Sequence, residues 1–546
     1  MSRLRAFRVL LPLALCLVAG GCSSALEGKP YRYDPGAPEL ITGVVAEAGD
    51  GLVTLSWTPD ARATSYNIYY ASALTQDNLA SEEEWRVTKA NGVLISVTTS
   101  SHVVTGLDNN VPYYFIVAGH NGYHGEGPES APQVAATPGP ATRADLVGTW
   151  HFHTLVTGEG ARWERGVLTV GDRCKTVDEP CSSTVSEFEA SDSSVAAPQA
   201  FGLSVQGDRT VSQSGDGAWA AFHGAIGSRK NMIVATWSPT AASRAMTIFQ
   251  KLKDGAEYGI ADLSGTGKAG NGPTLFAYHQ LSAGASPEWE YSNCRIGQQG
   301  RFWRDDLRDM TYWDYGTPTY KVAPKYDFLW KSTSVGIDID GLVREYLNEG
   351  NHEVVFTGRM TADRTVVVGV STTTDAGGAD PRHFLRIEQL CFKPADQALP
   401  TYTLADLAAS YRFHELSASG WAHGTMTVTS AGETTFSEYA DSGGNAYSFD
   451  GFRLYSYPDN ALEPYSQFAN FATAAQEGAP HYTDAEGQPY DTHYVYWTYG
   501  GVGEAPELPP VSGDYYAEHG SLSYNRDLFV LTRSDAAGAS IIVALR

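Results

Sequence analysis

The histidine of "TWHFHTL", His153, recurs in "LFAYHQL" as His279 and in "SYRFHEL" as His414. With His151 it has the spacing of a metal-ligating pair, because imidazoles at i and i+2 of a strand point to one face. The later copies hold Ala277 and Arg412 where His151 stands, so the pair is not shared. Each recurring histidine also stands two residues before a leucine on its own face: Leu155, Leu281 and Leu416. A packed strand histidine whose ring nitrogen finds a neighbour is the simpler reading. No metal and no cofactor is expected.

Asp338 and Asp340 also suggest a cation, but an EF-hand loop needs further acids and a terminal Glu. In the repeat they answer to Ser204 and Gln206, or to Ser448 and Asp450, and read as a strand entering a turn. "GTGKAGNG" at 265–272 lacks the Ser or Thr that follows the lysine of a phosphate loop. The chain has neither a Gly-x-Ser-x-Gly elbow nor HExxH. No catalytic residue is assigned. A carboxylate pair for sugar hydrolysis converges only in space, so a polysaccharide-active enzyme stays open as the alternative function.

Two long insertions carry the remaining chemistry. Residues 301–330 contain Trp303, Trp313, Tyr315 and Trp330; residues 457–501 contain Tyr490, Tyr494 and Trp497. Aromatic faces mixed with Asp suit a sugar or an aromatic partner, and long loops on a repeating scaffold tend to be functional. These residues are the candidate ligand contacts. The competing reading is a cover over the open end of a module.

The elements that must position them form a threefold repeat. Each copy opens on an Asp-Leu turn (Asp145, Asp262, Asp406) and a strand carrying Trp150, Phe276 or Tyr411, then Phe152, Tyr278 or Phe413. Trp163, Trp289 and Trp421 follow a turn. "GLSVQGDRTV", "GIDIDGLV" and "AYSFDGFRLY" each read as strand, tight turn and strand. "FHG", "FTG" and "EHG" then lead into "NMIVATW", "RTVVVGV" and "DLFVLTR". Period-two alternation puts the repeated aromatics on one face and the His and Leu on the other. About eight consecutive strands per copy predict three antiparallel meanders, each closing as an eight-stranded barrel. Six propeller blades, two per copy, are the alternative. The copies span residues 145–252, 258–392 and 402–546. They resemble a repeat of uncharacterised exported bacterial lipoproteins, which brings no activity with it. The "GTW" of the first copy is also faintly similar to the lipocalin opening strand.

Ahead of the repeats, "GLVTLSW", "SYNIYY", "HVVTGL" and "VPYYFIVAGHNG" alternate as strands of a sandwich. Trp57, Tyr66, the Leu107–Tyr113 spacing and "AGHNGYHGEGPES" give residues 38–138 a resemblance to a fibronectin type III domain. The departure is an insertion near 72–91. That resemblance implies an immunoglobulin-like sandwich and the role of a spacer. Residues 139–144 are a Pro/Gly linker. The chain is therefore all-β.

Residues 1–22 place Arg3, Arg5 and Arg8 before an apolar run and end in Ala19-Gly20-Gly21-Cys22. A basic start, a short apolar stretch and small residues form an export signal. The ending resembles a lipoprotein lipobox, with Ala19 where Leu is commoner. The resemblance implies acylation of Cys22 (a palmitate-type anchor), a tether over 23–37, and, with Ser23 rather than Asp next, outer-membrane localisation. The membrane partner is this lipid. Cys174, Cys181, Cys294 and Cys391 remain as an even set for an oxidising compartment. Of three connectivities, Cys174–Cys181 and Cys294–Cys391 keep each bridge inside one copy. A formal charge of −24 argues against a nucleic-acid partner. An extracytoplasmic carbohydrate or an envelope protein remains, and a non-catalytic binding or structural role is favoured.

Overall fold

The computed structural model describes residues 36–72, 87–172, 180–193, 195–198, 200–215, 219, 222–253, 255–264, 274–284, 289–296, 301–307, 311–314, 319–322, 333–347, 353–374, 381–392, 404–453, 455–456, 470–472, 482–483, 489–490, 517–535 and 538–546. Strands dominate, as the alternation requires.

The first unit is a sandwich. One sheet pairs Leu52–Ser56 with Val45–Ala48 and Ser101–Thr105. The other centres on Ser65–Ser72 and Tyr113–Asn121. Trp57 and Tyr66 meet edge-on at 5.3 Å in the core between them. The Asp108 amide donates to the Tyr113 hydroxyl at 3.1 Å, which ties the strand crossover.

Each repeat becomes a β module. In the first, strands from Gly148–Gly158 to Ser243–Lys251 form a closed eight-stranded barrel, and the first strand pairs with both the second and the last. The second closes the same way, from Thr274–Ala283 to Pro381–Phe392. Its insertion places a separate hairpin, Thr311–Asp314 with Thr319–Val322, beside the barrel strands in sequence. The third keeps the order but is a nine-stranded sheet, with Ala446–Arg453 and Tyr455–Ser456 at its ends. These are barrel-type meanders, not propeller blades. One landmark is corrected. "AYSFDGFRLY" does not turn at Asp450-Gly451: residues 446–453 run as one strand along Glu433–Asp441. Pairing along the full length overrides the local Asp-Gly turn signal.

Sequence explains the barrel ends. One-turn helices at Arg143–Leu146, Ile260–Ser264 and Leu404–Leu407 precede the opening strands. The recurring Asp caps the turn, accepting the Thr142 amide (2.7 Å) in the first copy and the Gly259 amide (2.9 Å) in the second. The recurring Leu is fully buried each time: Leu146, Leu263 and Leu407. Trp150 Nε1 donates to the Leu146 carbonyl and the Tyr411 hydroxyl to that of Leu407, at 2.8 and 2.9 Å.

The repeated Gly also has a packing cause. A Cβ at Gly224 would lie 2.6 Å from the Phe222 ring; at Gly358, 2.8 Å from Phe356; at Gly520, 2.9 Å from Phe529. An aromatic ring lies over the strand at each. Gly224→Val is therefore expected to overpack the first barrel and destabilise it by about 1–3 kcal/mol. A urea-unfolding series on the full chain checks this, and an unshifted midpoint would contradict it.

Alternation directs the two faces as expected. Trp150 and Phe152 enter the first barrel's interior with Trp219, Trp237 and Phe249. Leu155, Leu281 and Leu416 instead join one shared cluster with residues from all three modules, including Val234, Val368 and Val530. The modules thus pack on one another through their His/Leu faces.

Candidate functional site

The packing is cyclic. The opening hairpin of the first module lies on the closing hairpin of the second, that of the second on the third, and that of the third on the first. By ladder register Val234, Val368 and Val530 are equivalent, and so are Thr236, Val370 and Thr532 two residues on. These positions face the recurring histidine of the preceding module. His414 Nδ1 lies 3.1 Å from Thr236 Oγ1, and His279 Nδ1 lies 3.2 Å from Thr532 Oγ1. His279 Nε2 also lies 2.6 Å from Ser521 Oγ. Ser521 donates to Gln389 Oε1, so its oxygen accepts from Nε2–H and Nδ1 accepts from Thr532. His153 is the exception. Val370 offers no hydroxyl, and His153 Nδ1 is buried without a hydrogen-bond partner among the described residues.

Burial decides the charge state of these rings. It drives His153 and His414 well below the ordinary histidine range, and neighbouring His151 and His423 respectively push the same way. They pack as neutral rings. His279, Ser521 and Thr532 have the bonding pattern of a serine–histidine pair, but all three are fully buried. A substrate would have no access.

Tryptophans close the same joints. Trp163 Nε1 donates to Thr372 Oγ1 of the second module, and Trp421 Nε1 to Ser238 Oγ of the first, both at 2.8 Å. The side chain of Trp289 lies outside the described residues.

At one pole of the ring the turns before the closing hairpins converge. Lys230, Arg364 and Arg526 occupy equivalent turn positions, all left-handed with φ of 61°, 60° and 59°. Each pairs with its own module's Asp-Leu aspartate: Asp145 at 3.3 Å, Asp262 at 2.7 Å and Asp406 at 2.7 Å. In sequence these turns hold Arg229 and Lys230, Arg364, and Arg526, but only the fold shows what each meets. Arg229 differs from its equivalents, Asp363 and Asn525. Its buried guanidinium pairs with Asp363 and lies 3.3 Å from Asp527 and 3.8 Å from Glu47 of the sandwich. Burial alone would lower Arg229, but these three carboxylates hold it above its ordinary value. Burial would likewise raise Asp363, but Arg229 with Thr361 and Thr365 holds it below the usual carboxylate range.

The sandwich is seated on this pole. The Asp50 amide donates to the Ser228 carbonyl at 2.8 Å, Ser101 Oγ to Asn525 Oδ1 at 3.1 Å, and Lys253 pairs with Glu47 at 3.3 Å.

The barrel interiors differ. In the second module Arg386 is buried inside, 4.6 Å from the Tyr278 ring centre and 4.2 Å from that of Phe356. It pairs with Glu345 at 2.6 Å and lies 3.5 Å from Glu388. By register the first and third modules hold Thr247 and Ile542 there.

The other candidates fall as follows. Asp338 pairs with Arg344 at 2.6 Å and Asp340 with Arg359 at 2.7 Å, both aspartates lying just ahead of the left-handed Gly341. His151 is pushed down to about 4 by burial and then by Arg359. Among the described residues, no group of three or more His, Cys, Asp or Glu is arranged to hold a metal ion. Cys181 is disulfide-bonded, while Cys174 lies outside the described residues. Cys294 and Cys391 sit on the two strands flanking Thr274–Ala283. Trp303, Trp313 and Tyr490 are placed by backbone on Arg301–Leu307, Thr311–Asp314 and Pro489–Tyr490. Tyr315, Trp330, Tyr494, Trp497, Lys268 and Cys22 lie outside the described residues.

Residues 36–135 match the fibronectin type III domain family. No curated protein matches the chain. Among solved structures, a protein with unknown function from the DUF3598 family of Nostoc punctiforme is similar at 12% identity. That match covers 45% of this chain and 97% of that one, with a TM-score of 0.18. The isotype 1 transferrin binding protein B of serogroup B Neisseria meningitidis is 8% identical over 73% of this chain and 74% of that one, with a TM-score of 0.19. Intact Ap-TbpB, with N and C lobes, is 8% identical over 88% and 94%, with a TM-score of 0.17. Scores this low carry no argument about fold or function.

Proposed function

We propose that this chain, with its fibronectin type III domain, is a lipid-anchored cell-envelope protein whose three β modules have a binding or structural role rather than a catalytic one. The observation that carries the reading is the placement of the recurring histidines. His279 and His414 are bonded across module joints, and His153 is buried at the equivalent position. The chemistry common to the copies therefore serves packing. What differs between copies is the pair of aromatic insertions, and these supply the contacts to an extracytoplasmic carbohydrate or envelope protein. The lipobox-like ending at Cys22 supplies the anchor, in the outer membrane. The sandwich, seated at one pole, sets the ring relative to that anchor. Cys174–Cys181 is the proposed partner assignment for the first module's bridge.

The test has two arms. Cys22→Ala is expected to move the protein from the membrane to the soluble envelope fraction; unchanged membrane retention would contradict the anchor. For binding, the chain lacking residues 1–22 is screened on glycan and envelope-protein arrays. Joint alanine substitution of Trp303, Trp313, Tyr315, Trp330, Tyr490, Tyr494 and Trp497 should weaken capture at least about tenfold, as hot-spot aromatics do. Capture unaffected by those changes, or cleavage of an arrayed glycan, would overturn the reading.

A further inference from the structure

We propose that the joint between the third and first modules is an acid-sensitive latch, released when His223 and His423 become protonated. This inference is independent of the binding role above. His423 lies on Trp421–Val428 of the third module, opposite His414; His223 begins His223–Ile226 of the first, opposite Thr236. Across the joint the two rings stack with centres 4.4 Å apart and planes 22° apart. The His414 ring is 5.9 Å from His423. Trp421 flanks both, 5.2 Å from His223 and 5.6 Å from His423. His423 Nε2 is buried with no hydrogen-bond partner among the described residues.

The surroundings favour neutral rings and oppose charged ones. Burial lowers His423 to about 4, and His223 and Arg412 push it the same way. His223 is lowered by burial alone. His414 feels burial first, then His423, His223 and Arg412. Thr236 and Ser238, facing from the first module, are uncharged. Arg412 is itself held by Asp208 at 2.8 Å and Glu438 at 2.5 Å. Two imidazolium ions stacked face to face would repel with no anion between them.

The sign follows from linkage. In the open joint each ring returns to water and its ordinary value near 6.5. Below that, and above the lowered values of the closed form, the open form binds more protons, so acid favours opening. Each ring contributes about a tenfold shift per pH unit within that window.

The first joint has no such pair of rings, since register puts Arg165 and Thr357 at its corresponding positions. Register puts Tyr291 and His519 at those of the second, and their side chains lie outside the described residues. His151 and His153 also disfavour protonation at the first joint. At His151 Arg359 lowers and Asp340 raises, and among the described residues neither His151 nor His153 stacks across the joint. The latched joint is also the one that closes the ring, between modules that are not consecutive in the chain.

Hydrogen exchange read by mass spectrometry on the full chain, corrected for chemical exchange, tests the latch. Between pH 7.5 and 5.0, protection in Trp421–Val428 and Met232–Thr240 should fall at least about tenfold more in the native protein than in His223→Phe with His423→Phe, which keeps flat rings at the joint. If that pair fails to fold, His423→Phe alone should reduce the pH slope by about one proton. An unchanged slope in the variants, or a variant effect spread equally over all three joints, would overturn the proposal.

Discussion

Replacing His279 with leucine is expected to destabilise the joint between the second and third modules by about 2–4 kcal/mol. The volume is nearly kept, so the cost is electrostatic. Thr532 and Ser521, both fully buried, lose their imidazole partners, and Ser521 is the link that carries the network to Gln389. The same change at His153 should cost about 1–2 kcal/mol less, because its Nδ1 has no bond to lose. The converse is sharper. Val370→Thr restores the hydroxyl found at Thr236 and Thr532, and should stabilise the first joint by about 1 kcal/mol. Chemical denaturation of the three variants, with exchange protection to locate each effect, checks the ranking. Equal losses at His279 and His153 would show that the rings act only by filling space.

Arg229→Met should have the larger effect, about 3–5 kcal/mol, because it leaves Asp363 and Asp527 buried without their cation. It also removes one of the two cations on Glu47, leaving Lys253, and so loosens the seat of the sandwich. The pH dependence identifies the cause. In the native protein Asp363 is held low, so its contribution is present above the ordinary carboxylate value and lost only as pH falls below it. In the variant an unpaired buried carboxylate rises instead, so mild acid should partly rescue Arg229→Met while it weakens the native protein through its histidines. Adding Asp363→Asn and Asp527→Asn should recover most of the loss. A loss that does not depend on pH, or one the double Asn change fails to recover, would mean that Arg229 acts through its stem.

Much of this was legible in the sequence, and the limits have physical reasons. Period-two alternation is local, so it correctly separated Trp150 and Phe152, which fill a barrel, from His153 and Leu155, which face a neighbour. It also gave the strand count behind both closed barrels. What His279 touches could not be read, because Thr532 lies 253 residues away and becomes a partner only when the modules dock. The same holds for the stacked His223 and His423, which no spacing connects. Lys230, Arg364 and Arg526 were not singled out, because their pairing depends on a left-handed backbone that non-glycine residues rarely adopt. "AYSFDGFRLY" misled because its Asp-Gly signal is local while the strand is set by Glu433–Asp441 alongside it. Of the aromatic candidates, Trp303, Trp313 and Tyr490 are placed by backbone alone, and Tyr315, Trp330, Tyr494 and Trp497 lie outside the described residues.

The central claim is that the three modules close on one another in a ring. A photo-reactive phenylalanine analogue at position 421 tests it most directly, because the indole there reaches Ser238 of the first module. Irradiation of the full chain followed by peptide mapping should cross-link residue 421 to Met232–Thr240 within the same chain. Cross-links confined to the third module, or joining two separate chains, would contradict the ring.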